Sequence, residues 1–180
     1  ISFCIYLSTA LLLGIISGVY RSVDRLLHPA ILIMKSIPTM GIILLSLIWI
    51  QSETAIIFVC SLVVFPILYI AVVAGIKNID LKIEEVHRVF NIPFLKKCLY
   101  FYWPSIKPYL FAGISTGLGL TIKVMIAAEV LCQPKQGIGT MLQIERANLN
   151  TTGLFAWSAI VIVIAGIMEF IHNRLQKKYA

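Results

Sequence analysis

The chain has 180 residues, of which 59% are hydrophobic and 13% charged, with a mean hydropathy of +0.94. A water-soluble domain has an apolar fraction nearer one half and about twice that charge, so an ordinary soluble enzyme is excluded. The net charge of +7 comes from 15 basic against 8 acidic residues, but the basic residues cluster between apolar stretches and form no polar arm, which excludes nucleic acid as a partner.

Five apolar segments follow one another at about 1–20, 28–50, 55–75, 108–131 and 153–172. Each is long enough, at 1.5 Å rise per residue, to cross a hydrocarbon core of about 30 Å. The expected fold is all-α: a polytopic membrane helical bundle of about five transmembrane helices, forming a single transmembrane domain over 1–180. The first segment starts at Ile1, already inside an apolar run, and a sixth helix is expected before it. Residues 21–27 and 51–54 read as short turns, 76–107 as a long basic loop, and 132–152 as a polar, glycine-containing loop.

Alternating the spans puts 21–27, 76–107 and the C-terminal tail on one side. With Lys35 counted there, twelve of the fifteen basic residues lie on that side, and only Lys135 and Arg146 on the other, with Lys123 inside a span. The positive-inside rule makes the loop 76–107 and the C-terminus cytoplasmic. Pro38 and Pro66 each remove a backbone hydrogen bond from an apolar helix and are expected to kink it. Gly14 with Gly18, and Gly113 with Gly117, have the spacing that lets helix backbones approach, though the same spacing also arises by chance. Cys4, Cys60, Cys98 and Cys132 show no CxxC spacing and read as small apolar packing residues, not as a zinc site or disulfide framework.

The loop 76–107 is too patterned for a plain connection. Leu81, Ile83, Val86, Val89 and Phe90 recur between charges at helical spacing, predicting a short amphipathic helix that Asn91 terminates. A second short helix, about 94–102, is expected before Pro104. Such a pair can lie on the inner surface of the bundle and offer an apolar face to a cytoplasmic partner.

In this loop the chain resembles the permease subunits of type I ATP-binding-cassette importers. Their EAA loop reads Glu-Ala-Ala, three residues, Gly, nine residues, Ile, one residue, Leu-Pro. Here Glu85-Val86-His87 is followed at the same spacings by Asn91 and by Phe101-Tyr102-Trp103-Pro104, so the spacing is kept while only Glu85 and Pro104 are identical. Flanking residues resemble the branch handling nitrate, sulfonates, taurine and thiamine-precursor pyrimidines: Ser36-Ile37-Pro38, Phe65-Pro66-Ile67, Pro108 and Gly113, Ala128-Glu129, and Gly137-Ile138-Gly139. The resemblance covers about residues 10–172.

The resemblance implies a half-channel in a bacterial inner membrane. Two permeases, here a homodimer of this chain, would pair in the lipid. The loop of each would couple to a cytoplasmic ATPase subunit through Glu85, Val86, His87, Asn91 and Pro104, and an extracytoplasmic binding protein would deliver a small solute. The chain has no GxxxxGK[ST] phosphate loop, so nucleotide chemistry belongs to a separate subunit. The permease is expected to be no enzyme and to hold no cofactor or metal.

Other readings stand beside this one. Glu85 alone could be a solvated charge, and His87 an exposed surface histidine. An integral-membrane enzyme using Glu84, Glu85 and His87 would lack any accompanying HExxH or Ser-centred motif. A stand-alone secondary transporter usually carries an internal repeat, which five spans do not show. Trp49, Trp103 and Trp157 fit the membrane interface. An ionisable residue inside a span is costly and normally faces protein or water. Glu169, near Arg174, reads as an interfacial charge, and Glu129 as part of an outer gate or of packing. Lys123 is a candidate for the translocation path, where it would attract an anion, with snorkelling towards the outer interface as its alternative.

Overall fold

In a computed structural model of the chain, which describes residues 2–79, 93, 96 and 98–179, seven α-helices and one π-helical turn are present among those residues. They are α1 (Ser2–Val19), α2 (Arg21–Ser36), α3 (Thr39–Trp49), α4 (Ser52–Lys77), α5 (Trp103–Cys132), α6 (Ile138–Ala147) and α7 (Thr151–Tyr179), with the π turn over Cys98–Tyr102. The architecture is an all-α membrane bundle. The helices α4, α5 and α7 are long and apolar enough to cross a membrane, and α2 with α3 counts as a fourth only if the pair is one broken span. Within α1, Tyr6–Val19 counts as a shorter apolar helix.

The segment 28–50, expected as a span kinked at Pro38, forms two helices bent 95° apart there. Proline disfavours the helical conformation in the residue before it, and Ile37 is extended (φ −68°, ψ 128°). Residues 21–27, expected as a turn, are the first two turns of α2. Their charges alternate with Val23, Leu26 and Leu27, which gives an amphipathic helix instead of a loop. Pro66 does not break its helix, since α4 runs unbroken through it with Val64, Pro66 and Leu68 all buried. The loop 132–152 contains α6.

The bundle is built on α4. Ile43 of α3 packs with Ala55, Val59 and Cys60 of α4 and with Val124, Ala128 and Cys132 of α5. At the other end Val72 and Ile76 meet Ile106 and Leu110. Backbones approach closely where side chains are missing. A Cβ on Gly75 would lie 2.8 Å from the Ile106 Cα, and one on Gly113 would lie 2.6 Å from the Ala71 Cβ. On α1, Cβ atoms at Gly14 and Gly18 would meet Val72 at 2.8 Å and Ile76 at 2.6 Å. Three of the four spaced glycines are thus contact positions, and at Gly117 a Cβ would make only an ordinary contact, 3.5 Å from Val64. Transmembrane helices associate largely through such packing, because lipid tails are as apolar as the side chains themselves.

Two ends of the bundle follow from these contacts. One holds the start of α2, the end of α4, the start of α5 and the end of α7: Lys77 Nζ pairs with Asp24 Oδ2 at 2.6 Å, and His172 Nε2 lies 3.0 Å from the Phe111 carbonyl. The other holds the start of α4, the end of α5 and α6.

Replacing Gly75 by Val should overpack the α4–α5 contact against backbone that cannot yield, at a cost of about 1–3 kcal/mol. Its detergent-solubilised melting temperature should fall, whereas Gly166→Ala, where an added Cβ meets nothing within 4 Å, should melt as the parent does.

Candidate functional site

The residues expected to form the coupling site divide between described and undescribed parts of the chain. Glu85, Val86, His87 and Asn91 lie outside the described residues, as does the amphipathic helix expected around them. Pro104 is described, exposed in the first turn of α5. It has no N–H to give to the preceding turn, and it is there that the backbone takes the wider π pattern over Cys98–Tyr102. Of the second short helix expected over about 94–102, this π turn is the main described part, and it runs directly into α5. The end of α4 that leads into the loop is pinned to α2 by the Asp24–Lys77 ion pair.

Lys123 and Glu129 share α5 but not a face. Seen down the helix, Gly113, Gly117, Val124 and Ala128 face α4, whereas Ser115, Leu118, Gly119 and Ile122 face α7. Lys123 belongs to neither set. It is exposed on a third side of α5, nine residues before the helix ends at Cys132. Among the described residues it has no carboxylate partner, and Glu129, six residues on, lies about 240° further round the helix.

Glu129 is engaged elsewhere. Its Oε2 accepts a hydrogen bond of 2.7 Å from the backbone N–H of Gly139, the second residue of α6. A carboxylate at that place satisfies one of the unpaired N–H groups of a helix start and interacts favourably with the helix dipole. The contact needs both glycines of the segment Gly137-Ile138-Gly139. A Cβ on Gly137 would stand 2.7 Å from the carboxylate oxygen, and one on Gly139 would stand 2.5 Å from the Glu129 Cβ and 2.6 Å from the Ile126 carbonyl. The chain turns into this corner through Gln133, which caps α5 in the left-handed conformation (φ 45°, ψ 60°). Thr140 Oγ1 closes it by donating to the Pro134 carbonyl at 3.1 Å. A second corner joins α6 to α7, where Asn150 Nδ2 donates to Glu145 Oε2 at 2.7 Å and Asn150 Oδ1 accepts from the Gly153 N–H at 3.1 Å. The Glu129 carboxylate thus ties the end of α5 to the start of α6.

Between α5 and α7 lies a narrow cleft lined by Ser115, Gly119 and Ile122 on one side and Ala165, Met168, Glu169 and His172 on the other. Glu169 lines this cleft, while Arg174 lies 4.9 Å from the centre of the Phe170 ring instead of beside the carboxylate. Sequence reasoning missed His172. Its ring is buried and donates to the Phe111 carbonyl, with the Phe111 ring 5.9 Å away. The available signal was its place one helical turn after Glu169, which puts both groups on one face.

Fold and site define a polytopic α-helical membrane protein whose long helices carry few, specifically engaged polar groups. The chain belongs to the family of binding-protein-dependent transport system inner membrane components, whose model matches residues 10–180. It is 25% identical over 169 residues to a putative aliphatic sulfonates transport permease protein of Bacillus subtilis, covering 93% of this chain and 61% of that protein. Its identity to the corresponding Escherichia coli protein is 32% over 154 residues, covering 84% and 55%. To a nitrate import permease protein of Synechococcus elongatus it is 27% identical over 168 residues, covering 93% and 60%. The chain thus spans less than two thirds of the length of these relatives.

Removing the Glu129 carboxylate should loosen the corner between α5 and α6. Glu129→Ala is expected to cost about 1.5–3 kcal/mol, the range for a charge-assisted hydrogen bond, read as a lower melting temperature and faster proteolysis within 133–150. Glu129→Gln, which keeps an accepting oxygen, should fall between the two, and Gly139→Ala should behave like Glu129→Ala.

Proposed function

We propose that this chain is the transmembrane permease subunit of an ATP-driven importer, forming half of a translocation path for a small anion. The observation that carries this reading is the family match, which runs from residue 10 to residue 180 and so takes in every long apolar helix. The relatives are named as transport permeases, and neither an enzyme nor a stand-alone transporter gains support from any of them.

On this reading residues 1–180 act as one transmembrane unit, with the loop 76–107 and the C-terminus in the cytoplasm. The loop couples to an ATPase subunit through Glu85, Val86, His87, Asn91 and Pro104. A binding protein delivers solute at the opposite end, where α6 lies, and a second copy of the chain supplies the other half of the path. Among the described residues no residue in the most apolar stretch of α7 is fully buried, which fits a bundle completed by lipid and by a partner. ATP binding and hydrolysis would switch the pair between states open to either side, a two-state change of the rigid-body kind. The anionic cargo is supported by relatives named for sulfonates and nitrate and by Lys123, whose ammonium stands on an open side of α5 in the outer half of the bundle.

Two experiments test the parts. A proline at Val89 breaks the expected coupling helix at a cost of about 3 kcal/mol while leaving the spans untouched. Val89→Pro and Glu85→Lys should insert and fold normally yet abolish ATP-dependent uptake in vesicles, and normal uptake by Val89→Pro overturns the coupling assignment. Lys123→Met should raise the apparent KM for an anionic substrate several-fold with little change in melting temperature. An unchanged KM means that Lys123 only snorkels to the interface.

A further inference from the structure

The helix α2 has three distinct sides. Val23, Leu27, Ile31 and Met34 turn towards the bundle, with Ile31 buried against Tyr69 and Val73 of α4 and Leu27 and Met34 beside it. A second side, with Leu26, Ala30 and Ile33, is apolar and uncovered, and Leu26 is 77% exposed. The third side carries Arg21, Arg25 and His28, all exposed within the first two turns. Asp24, the acidic residue of this helix, is already paired with Lys77. Among the described residues Arg21 and Arg25 therefore have no carboxylate partner.

The course of the chain gives these sides their surroundings. Helix α3 lies alongside the first half of α4, and α2 is bent 95° from α3, with its basic start at the Lys77 end of α4 through the Asp24–Lys77 pair. It meets α4 at Tyr69 and Val73, four to eight residues before the Lys77 end of a 26-residue helix. That is about 6–12 Å from the end at the helical rise, just inside the edge of a hydrocarbon core of about 30 Å, while Asp24 meets Lys77 at the end itself. A helix at this depth with one uncovered apolar side and one basic side has the build of an interfacial amphipathic helix.

We propose that Arg21, Arg25 and His28 bind the phosphates of anionic phospholipids in the adjoining leaflet while Leu26 and Ile33 enter its acyl region, so that turnover of the transporter depends on anionic lipid. This rests on the cytoplasmic placement of the Lys77 end proposed above. Hydrocarbon contact and phosphate binding on one short helix match a lipid better than an aqueous protein surface, which would leave the apolar side in water. Each basic side chain near an anionic surface strengthens attachment, and the attraction weakens with salt.

The complete transporter, permease with its ATPase and binding protein, is reconstituted in vesicles of phosphatidylcholine alone or mixed with phosphatidylglycerol. Phosphatidylglycerol should stimulate ATP-dependent uptake by the parent, and added salt should suppress that stimulation. The double variant Arg21→Gln/Arg25→Gln should match the parent in phosphatidylcholine but need roughly tenfold more phosphatidylglycerol for the same effect, or fail to respond. An unaltered response overturns the proposal, as does an equal loss in both lipids, which would assign the arginines to a protein contact. A fluorophore on Leu26→Cys, with the native cysteines replaced, reads the surface without any transport. Quenching by phospholipid labelled near the headgroup supports it, and no quenching overturns it. If the parent shows no ATP-dependent uptake in either lipid, the permease reading fails while the quenching still decides the lipid contact.

Discussion

Inside hydrocarbon, apolar side chains are no better hidden against one another than against lipid, so helices hold together only where they fit closely. In this chain that fit is concentrated on α4. Glycines on α1 (Gly14, Gly18), on α5 (Gly113) and on α4 itself (Gly75) remove the Cβ atoms that would otherwise stand under 3 Å from the facing helix. The rest of the molecule depends on this close approach. It fixes the rotation of α5, which then turns Gly113, Val124 and Ala128 towards α4, Gly119 and Ile122 towards α7, and Lys123 towards neither. A different rotation would bring the lysine into a helix contact, where its charge would have no partner.

Polar contacts at the two ends then decide which segments move with which helix. The Asp24–Lys77 pair ties α2 to the end of α4, from which the loop 76–107 departs. The Glu129 carboxylate ties the start of α6 to the end of α5, and the Asn150 side chain ties the end of α6 to the start of α7. An isolated exposed ion pair contributes little stability, so the first tie is better understood as setting geometry than as holding the fold. The second is stronger, because an ionised acceptor at a helix start has both a hydrogen bond and the dipole in its favour. Through these two corners α6 is linked to both α5 and α7.

Much of this architecture is legible in the sequence, for a physical reason: a membrane span must be both long and apolar, and few other segments are. The ranges 55–75, 108–131 and 153–172 fall within α4, α5 and α7 on that ground. Prolines were harder to read. The local rule is the same at Pro38 and Pro66, yet one separates two helices at 95° and the other sits inside an unbroken helix. What differs is the surroundings, since Pro66 is packed between buried Val64 and Leu68 while Pro38 is exposed beside Ser36. Tertiary packing of that kind leaves no mark at the proline itself. The same limit applied to Glu129. Its oxygen meets a backbone N–H ten residues away across a turn, and only the two glycines flanking Ile138 hinted that something approached so closely.

The ionisable groups within or beside the spans can then be sorted by what engages them. Glu129 is held by Gly139, His172 by the Phe111 carbonyl, and Glu169 lines the cleft that His172 closes between α5 and α7. A charge in an apolar span persists only where protein or water receives it. For Glu129 and His172, the chain itself provides that reception. Lys123 differs: it is exposed on a third side of α5, and no carboxylate meets it among the described residues. Which side of α5 carries that ammonium follows from the close packing of Gly113, Val124 and Ala128 against α4, which leaves Lys123 no position at a helix contact.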